Sequence, residues 1–94
     1  METVLVIGAA RSGTAAARLL KQQGYDVILT DSGPVQDRTG LEGIQVVDNG
    51  HPDWLFEKTY AFAVKNPGIP YRVPVIRRLQ EMGCRRGMVS MQGL

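Results

Sequence analysis

Apolar residues fall into two kinds of run along this chain, and their alternation sets the expected architecture. Residues 3–7, TVLVI, are continuously apolar and β-branched, as a strand buried on both faces of a parallel sheet requires. Gly8 ends that run. From Ser12 to Gln23 the spacing becomes helical, with Ala15, Ala16, Leu19 and Leu20 expected on the inner face and Gly24 at the helix C-terminus. A second strand, DVILT, leads to Asp31, so the first third of the chain predicts a βαβ unit with a right-handed crossover. Residues 32–43, SGPVQDRTGLEG, have no apolar period and read as a loop. IQVVD (44–48) suits a short third strand. HPDWLFEK then predicts a helix with Pro52 at its first position and Trp54 and Leu55 facing inward. YAFAV (60–64) is a fourth buried strand. After the loop KNPGIPYRV, the segment PVIRRLQEMG predicts a last helix, apolar at Val75, Ile76 and Leu79 and ended by Gly83. The expected fold class is α/β: a Rossmann-like, doubly wound, mainly parallel sheet of four or five strands flanked by helices.

Open sheets of this kind bind ligands outside the carboxyl ends of their strands. Three features fall at those ends. The first, GAARSG (8–13), is one residue short of the dinucleotide fingerprint G-x-G-x-x-G, because Ala10 stands at the middle glycine. Gly8 permits the tight turn out of the strand, Gly13 the close packing of helix on strand, and the intervening N–H groups face the positive end of a helix dipole. Arg11 and Ser12 add a cationic fork and a hydroxyl, so a phosphate or pyrophosphate is the expected ligand; a bare helix start capped by Ser12 is the bland alternative. The second is Asp31, 18 residues beyond Gly13, at the interval where an acid reaches a ribose. It could accept from a ribose hydroxyl or a base N–H, or close an Asx-turn into Ser32 and Gly33. The third is KNPGIP, in which Pro67 biases Asn66 toward an extended conformation, Gly68 lets the backbone approach a ligand, and Pro70 stiffens the exit. A type II turn centred on Pro67 and Gly68 is its structural reading.

Composition narrows the classes. Ninety-four residues make one small domain. A net charge of +2 gives no argument for nucleic acid, and Arg72, Arg77, Arg78, Arg85 and Arg86 read as a solvated helix face and tail. A single cysteine, Cys84, leaves no internal disulfide or Cys-rich metal site and suits a reducing, cytoplasmic setting. Met1 runs straight into VLVIG without a secretory n-region and h-region, and no apolar run approaches the roughly 20 residues of a membrane span. His51 has no metal-ligand partners at a suitable spacing and reads as a surface or capping residue. Trp54 is expected in the core, and Cys84 has no partner to activate it.

IGAARSG followed by TDSG, GHPDWLFE and VKNPGIPYRVPVI resembles the N-terminal domain of the Mur ligases, most specifically the D-glutamate-adding branch, over about residues 3–83. NPGIP is the most specific element. The resemblance implies a domain (1–83) that holds the UDP end of a UDP-linked muramoyl peptide in peptidoglycan precursor synthesis, with no cofactor of its own. By position it implies Gly8, Ala10, Arg11, Ser12 and Gly13 at the diphosphate, Asp31 and Ser32 at the uracil nucleotide, and Asn66, Pro67 and Gly68 as a backbone shelf. It implies no catalytic or metal-binding residue here. The amide ligation, with its ATP and magnesium, would belong to central and C-terminal domains, since these residues hold no G-x-x-x-x-G-K-[ST] loop. Neither nucleic acid nor membrane is an expected partner. The end departs from the family: CRRGMVSMQGL (84–94) is glycine-rich and basic, and is expected to be either disordered or a degenerate fifth strand. A small NAD(P)-sensing module and a regulatory domain with a vestigial site are the alternatives.

Overall fold

The computed structural model describes residues 1–66, 68–70, 72–84 and 87–90. The N-terminal apolar run is strand β1 (Thr3–Ile7), followed by helix α1 (Arg11–Gln22) and strand β2 (Asp26–Thr30), as the pattern predicts. Next come β3 (Gln45–Val47), a 3-10 helix (Asp53–Glu57), β4 (Ala63–Lys65), α2 (Pro74–Met82) and β5 (Met88–Ser90). The five strands form one sheet in the order β3-β2-β1-β4-β5, and every neighbouring pair is parallel. This is a Rossmann-like α/β architecture.

Alternation along the central strands divides the core in two. Val4, Val6, Val27, Leu29 and Val64 face α1, where Ala17 and Leu20 meet them. Leu5, Ile7, Ile28 and Ala63 face α2, against Val75, Ile76 and Leu79. The α1 stripe is Gly13, Ala16, Ala17 and Leu20, the i, i+3, i+4, i+7 set of one helix face. Ala15 and Leu19, expected inside, are exposed, because they lie off the buried face that Gly13, Ala16, Ala17 and Leu20 define. No helix follows β2. Instead Val35, Leu41 and Ile44 turn inward from the irregular segment and bury themselves on the α1 face.

Two expectations change around the 3-10 helix. Its five residues follow Pro52, which precedes the first turn and does not occupy it. With three residues per turn, only about one in three can face the core. Leu55 takes that place at 0% exposure, whereas Trp54 is 36% exposed with the Lys58 ammonium 5.8 Å from its ring. Trp54 is therefore a surface residue. The fourth strand also starts later than expected. Tyr60, Ala61 and Phe62 are buried, but Tyr60 donates its hydroxyl to the Leu55 carbonyl at 2.6 Å, and the strand proper is Ala63–Lys65. Burial pushes the Tyr60 phenol up to about 12.

The basic, glycine-rich end forms a strand in part. Met88 and Val89 pair in parallel with Ala63 and Val64, and each packs on a different face of the sheet. Arg85, Arg86 and residues 91–94 lie outside the described residues, while Arg72, Arg77 and Arg78 are exposed. Among the described residues no helix is long and apolar enough to cross a membrane, and no cluster of His, Cys, Asp and Glu could hold a metal ion.

Candidate functional site

From β1 the chain winds outward to β2 and β3, then returns to place β4 on the other side of β1. The carboxyl ends of β1 and β4 thus flank the switch point, where loops leave in opposite directions and a crevice opens. A cavity of about 470 Å³ lies there. Its walls are Ile7 and Gly8 at the end of β1, Asp31 and Ser32 after β2, His51 after β3, and, from the stretch between β4 and α2 and the start of α2, Gly68, Ile69, Pro70, Val73, Pro74 and Val75.

Each wall is held by local chemistry. Gly8 has φ +100°, a conformation that favours glycine, and its N–H donates to the Thr30 carbonyl at 2.8 Å. A Cβ at Gly8 would lie 3.4 Å from Ile69 Cδ1, so the loops after β1 and β4 run close enough that a side chain here would meet Ile69. Asp31 closes the expected Asx-turn, its Oδ1 accepting from Gly33 N–H at 2.8 Å. Its Oδ2 accepts from Ala9 N–H at 2.7 Å, across 22 residues of sequence. Backbone bonds then tie this turn to the β3 loop: Asp31 N–H donates to Val47, Asn49 N–H to the Gly33 carbonyl and Gly50 N–H to the Asp31 carbonyl.

The segment after β4 is a turn closed twice. Asn66 Oδ1 accepts from Gly68 N–H at 2.9 Å, and the Asn66 carbonyl accepts from Ile69 N–H at 2.9 Å. Beneath it Lys65, only 4% exposed, donates from Nζ to the Ile69 carbonyl at 3.0 Å. Pro67 lies outside the described residues.

The start of α1 has no side-chain cap. Ala10 is the N-cap in an extended conformation, and the first turn holds no acidic residue. Ser12 does not cap, because the helix starts at Arg11 and Ser12 already lies within its first turn. Arg11 and Ser12 are exposed there and Gly13 is buried. Uncapped N–H groups at a helix start favour an anion.

Of the residues expected at the site, the cavity brings together Gly8, Asp31, Ser32 and Gly68. Ala10, Arg11, Ser12, Gly13 and Asn66 are not part of its lining. The largest addition concerns His51. Read from the sequence as a surface or capping residue, it is of intermediate exposure, lines the cavity, and has its Nδ1 2.8 Å from Thr30 Oγ1. Burial lowers its pKa from 6.5, and the nearby Asp31 opposes that shift. Ile69, Pro70, Val73 and Pro74 line the cavity as well; proline punctuation marks a loop there, with Pro70 stiffening its exit, but carries no signal of its apolar inner side. Cys84 is half-buried and burial raises its thiol pKa, against any nucleophilic role.

No protein-family model matches the chain. Curated relatives do. A Geobacillus kaustophilus protein named UDP-N-acetylmuramoylalanine--D-glutamate ligase is 44% identical over 85 residues, covering 85% of this chain and 19% of the relative. Identically named proteins from Streptococcus pneumoniae strains Hungary19A-6 and CGSP14 match at the same identity and coverage. The chain thus spans about a fifth of the length of the curated relatives it matches. Over 85% of its own length it is homologous to the N-terminal part of UDP-N-acetylmuramoylalanine--D-glutamate ligases.

Proposed function

We propose that the chain is the substrate-nucleotide-binding part of such a ligase, holding the UDP end of a UDP-linked muramoyl peptide. The observation that carries this reading is the cavity at the switch point, walled by the turn after β4 and adjoined by the loop leading to the uncapped start of α1. Its volume, about 470 Å³, falls in the range of small-molecule sites. A pyrimidine base would lie against the aliphatic side of Ile69, Pro70 and Val73, with Asp31 and Ser32 at its edge. The diphosphate would follow Gly8 to the first turn of α1, where Arg11 and Ser12 wait beside free N–H groups.

In this reading residues 1–83 form the binding unit and 84–94 lead away from it. The chain supplies no step of the ligation: ATP, magnesium and the amino acid would be handled by the central and C-terminal ligase domains, in the cytoplasm. The purified chain should therefore release no phosphate from ATP with or without the muramoyl substrate.

Calorimetric titration with UDP, UDP-MurNAc-L-Ala and NAD, side by side at low salt, tests the reading. UDP and the muramoyl nucleotide should bind, and NAD should not. Binding of NAD in preference to UDP would point to a dinucleotide sensor, and binding of none of the three would remove the nucleotide reading altogether.

A further inference from the structure

Thr30 ends β2 with its side chain fully buried. Among the described residues its hydroxyl has one hydrogen-bond partner, His51 Nδ1 at 2.8 Å. A hydroxyl carries one proton to give and lone pairs to receive. Were Nδ1 protonated, it would donate to Oγ1 and leave the buried Thr30 proton without an acceptor, the more expensive of the two defects. The arrangement that satisfies both groups has Thr30 donating to Nδ1, which keeps the imidazole neutral and puts its proton on Nε2. That nitrogen is on the far side of the ring from Thr30 and has no protein partner among the described residues, and His51 lines the cavity.

We propose that His51 is a specificity-determining contact of the rim cavity, locked by Thr30 as the Nε2–H tautomer so that it donates to a carbonyl oxygen of a bound nucleobase. The proposal rests on the nucleotide reading above and adds the group that reads the base. It assigns a base oxygen and not a phosphate because His51 shares its cavity with the apolar side of Ile69, Pro70 and Val73, whereas Arg11 and Ser12 lie outside that lining. Thr30 acts through the ring as a positioning residue.

His51 is the only histidine in the chain, so its ring nitrogens give unambiguous long-range proton–nitrogen spectra. In the free protein at neutral pH, Nδ1 should carry the unprotonated shift and Nε2 the protonated one. UDP and uridine should each move Nε2, and inorganic pyrophosphate should leave it in place. His51→Phe should weaken UDP and uridine alike, by roughly three- to tenfold, the scale of one lost hydrogen bond, with pyrophosphate binding unchanged. Thr30→Val should leave a mixture of tautomers and a smaller loss of UDP affinity.

An Nε2 resonance that UDP does not move, or an Nδ1–H tautomer in the free protein, overturns the proposal without any variant. Equal affinity of wild type and His51→Phe for UDP overturns it while leaving the nucleotide reading intact. Equal losses for UDP and pyrophosphate overturn the base assignment. Failure of the wild-type chain to bind either UDP or uridine removes the nucleotide reading and this proposal together.

Discussion

Replacing Asp31 with asparagine separates two tasks that converge on one side chain. The carboxylate now accepts from Ala9 N–H at 2.7 Å and Gly33 N–H at 2.8 Å, one oxygen for each. Asparagine has a single acceptor oxygen, so one of these backbone donors must face an amide NH2 instead. Hydrogen bonds to charged groups contribute about 1.5–3 kcal/mol, and this half-buried site belongs at the lower end, so Asp31→Asn should destabilise the fold by about 1.5–2 kcal/mol. For a domain of this size that is a fall in Tm of roughly 6–16 °C, measurable by circular dichroism. A Tm within about 2 °C of wild type would refute the bracing role. The second task shows in selectivity. Loosening the β1 exit lowers UDP and CDP affinity together, so only their ratio reports on the base. A carboxylate offers about four lone-pair positions and the backbone takes two, which leaves room for the N3–H of uracil, a donor that cytosine lacks. The preference for UDP over CDP should then shrink by about 1 kcal/mol, roughly fivefold. An unchanged ratio alongside a lowered Tm would leave Asp31 as a brace alone.

Gly8→Ala should cost about 1–3 kcal/mol, because φ +100° strains any side chain and the new methyl would stand 3.4 Å from Ile69 Cδ1; a wild-type urea midpoint would contradict it. Arg11→Ala should leave stability unchanged and weaken UDP by roughly 1 kcal/mol at low salt, the modest figure suiting an exposed side chain, with the loss shrinking as salt rises. Loss of UDP affinity independent of salt would count against a phosphate contact. Burial holds the His51 pKa below 6.5, against the pull of Asp31, so on acidification the unfolded chain takes up its proton first. Stability should be complete above about pH 6.5 and fall as pH drops from there to the folded-state pKa. His51→Phe should lack that slope in Tm against pH, and an identical slope in both proteins would place the titration elsewhere.

The order and class of elements were legible because buried parallel strands write themselves as continuous apolar runs, as TVLVI and DVILT do. What escaped was set by geometry that a period cannot carry. The buried face of α1 runs through Gly13, Ala16, Ala17 and Leu20, so that Ala17, not Ala15 or Leu19, meets the core. A five-residue 3-10 helix turns Trp54 outward although its type favours burial. Met88–Ser90 is so short that the sequence left disorder and a fifth strand both open, and it pairs because β4 presents an edge beside it. At the site, loops with a recognisable chemistry were read, and Gly8, Asp31, Ser32 and Gly68 do meet at one cavity. His51 was passed over because its partner is the hydroxyl of Thr30, 21 residues away, and a lone histidine with no second ligand gives no sequence signal.

The contacts across the switch point also bear on why this rim should take one nucleotide and not two. In a dinucleotide-binding fold the pyrophosphate passes close over the glycine loop, so that the two halves lie on opposite sides of the switch point. Here the middle glycine of that loop is Ala10, and the β4 side of the passage holds the doubly closed turn whose Ile69 reaches to van der Waals distance of a Gly8 Cβ. The turn is held up from below by the buried Lys65, so moving it aside would break the bond from Nζ to the Ile69 carbonyl. Each feature removes room from a second nucleotide while leaving the apolar cavity and the α1 terminus for a first. Cutting the turn back to an open connection should therefore raise NAD affinity relative to UDP, and a shortened variant that still refuses NAD would show that Ala10, and not the turn, enforces the choice.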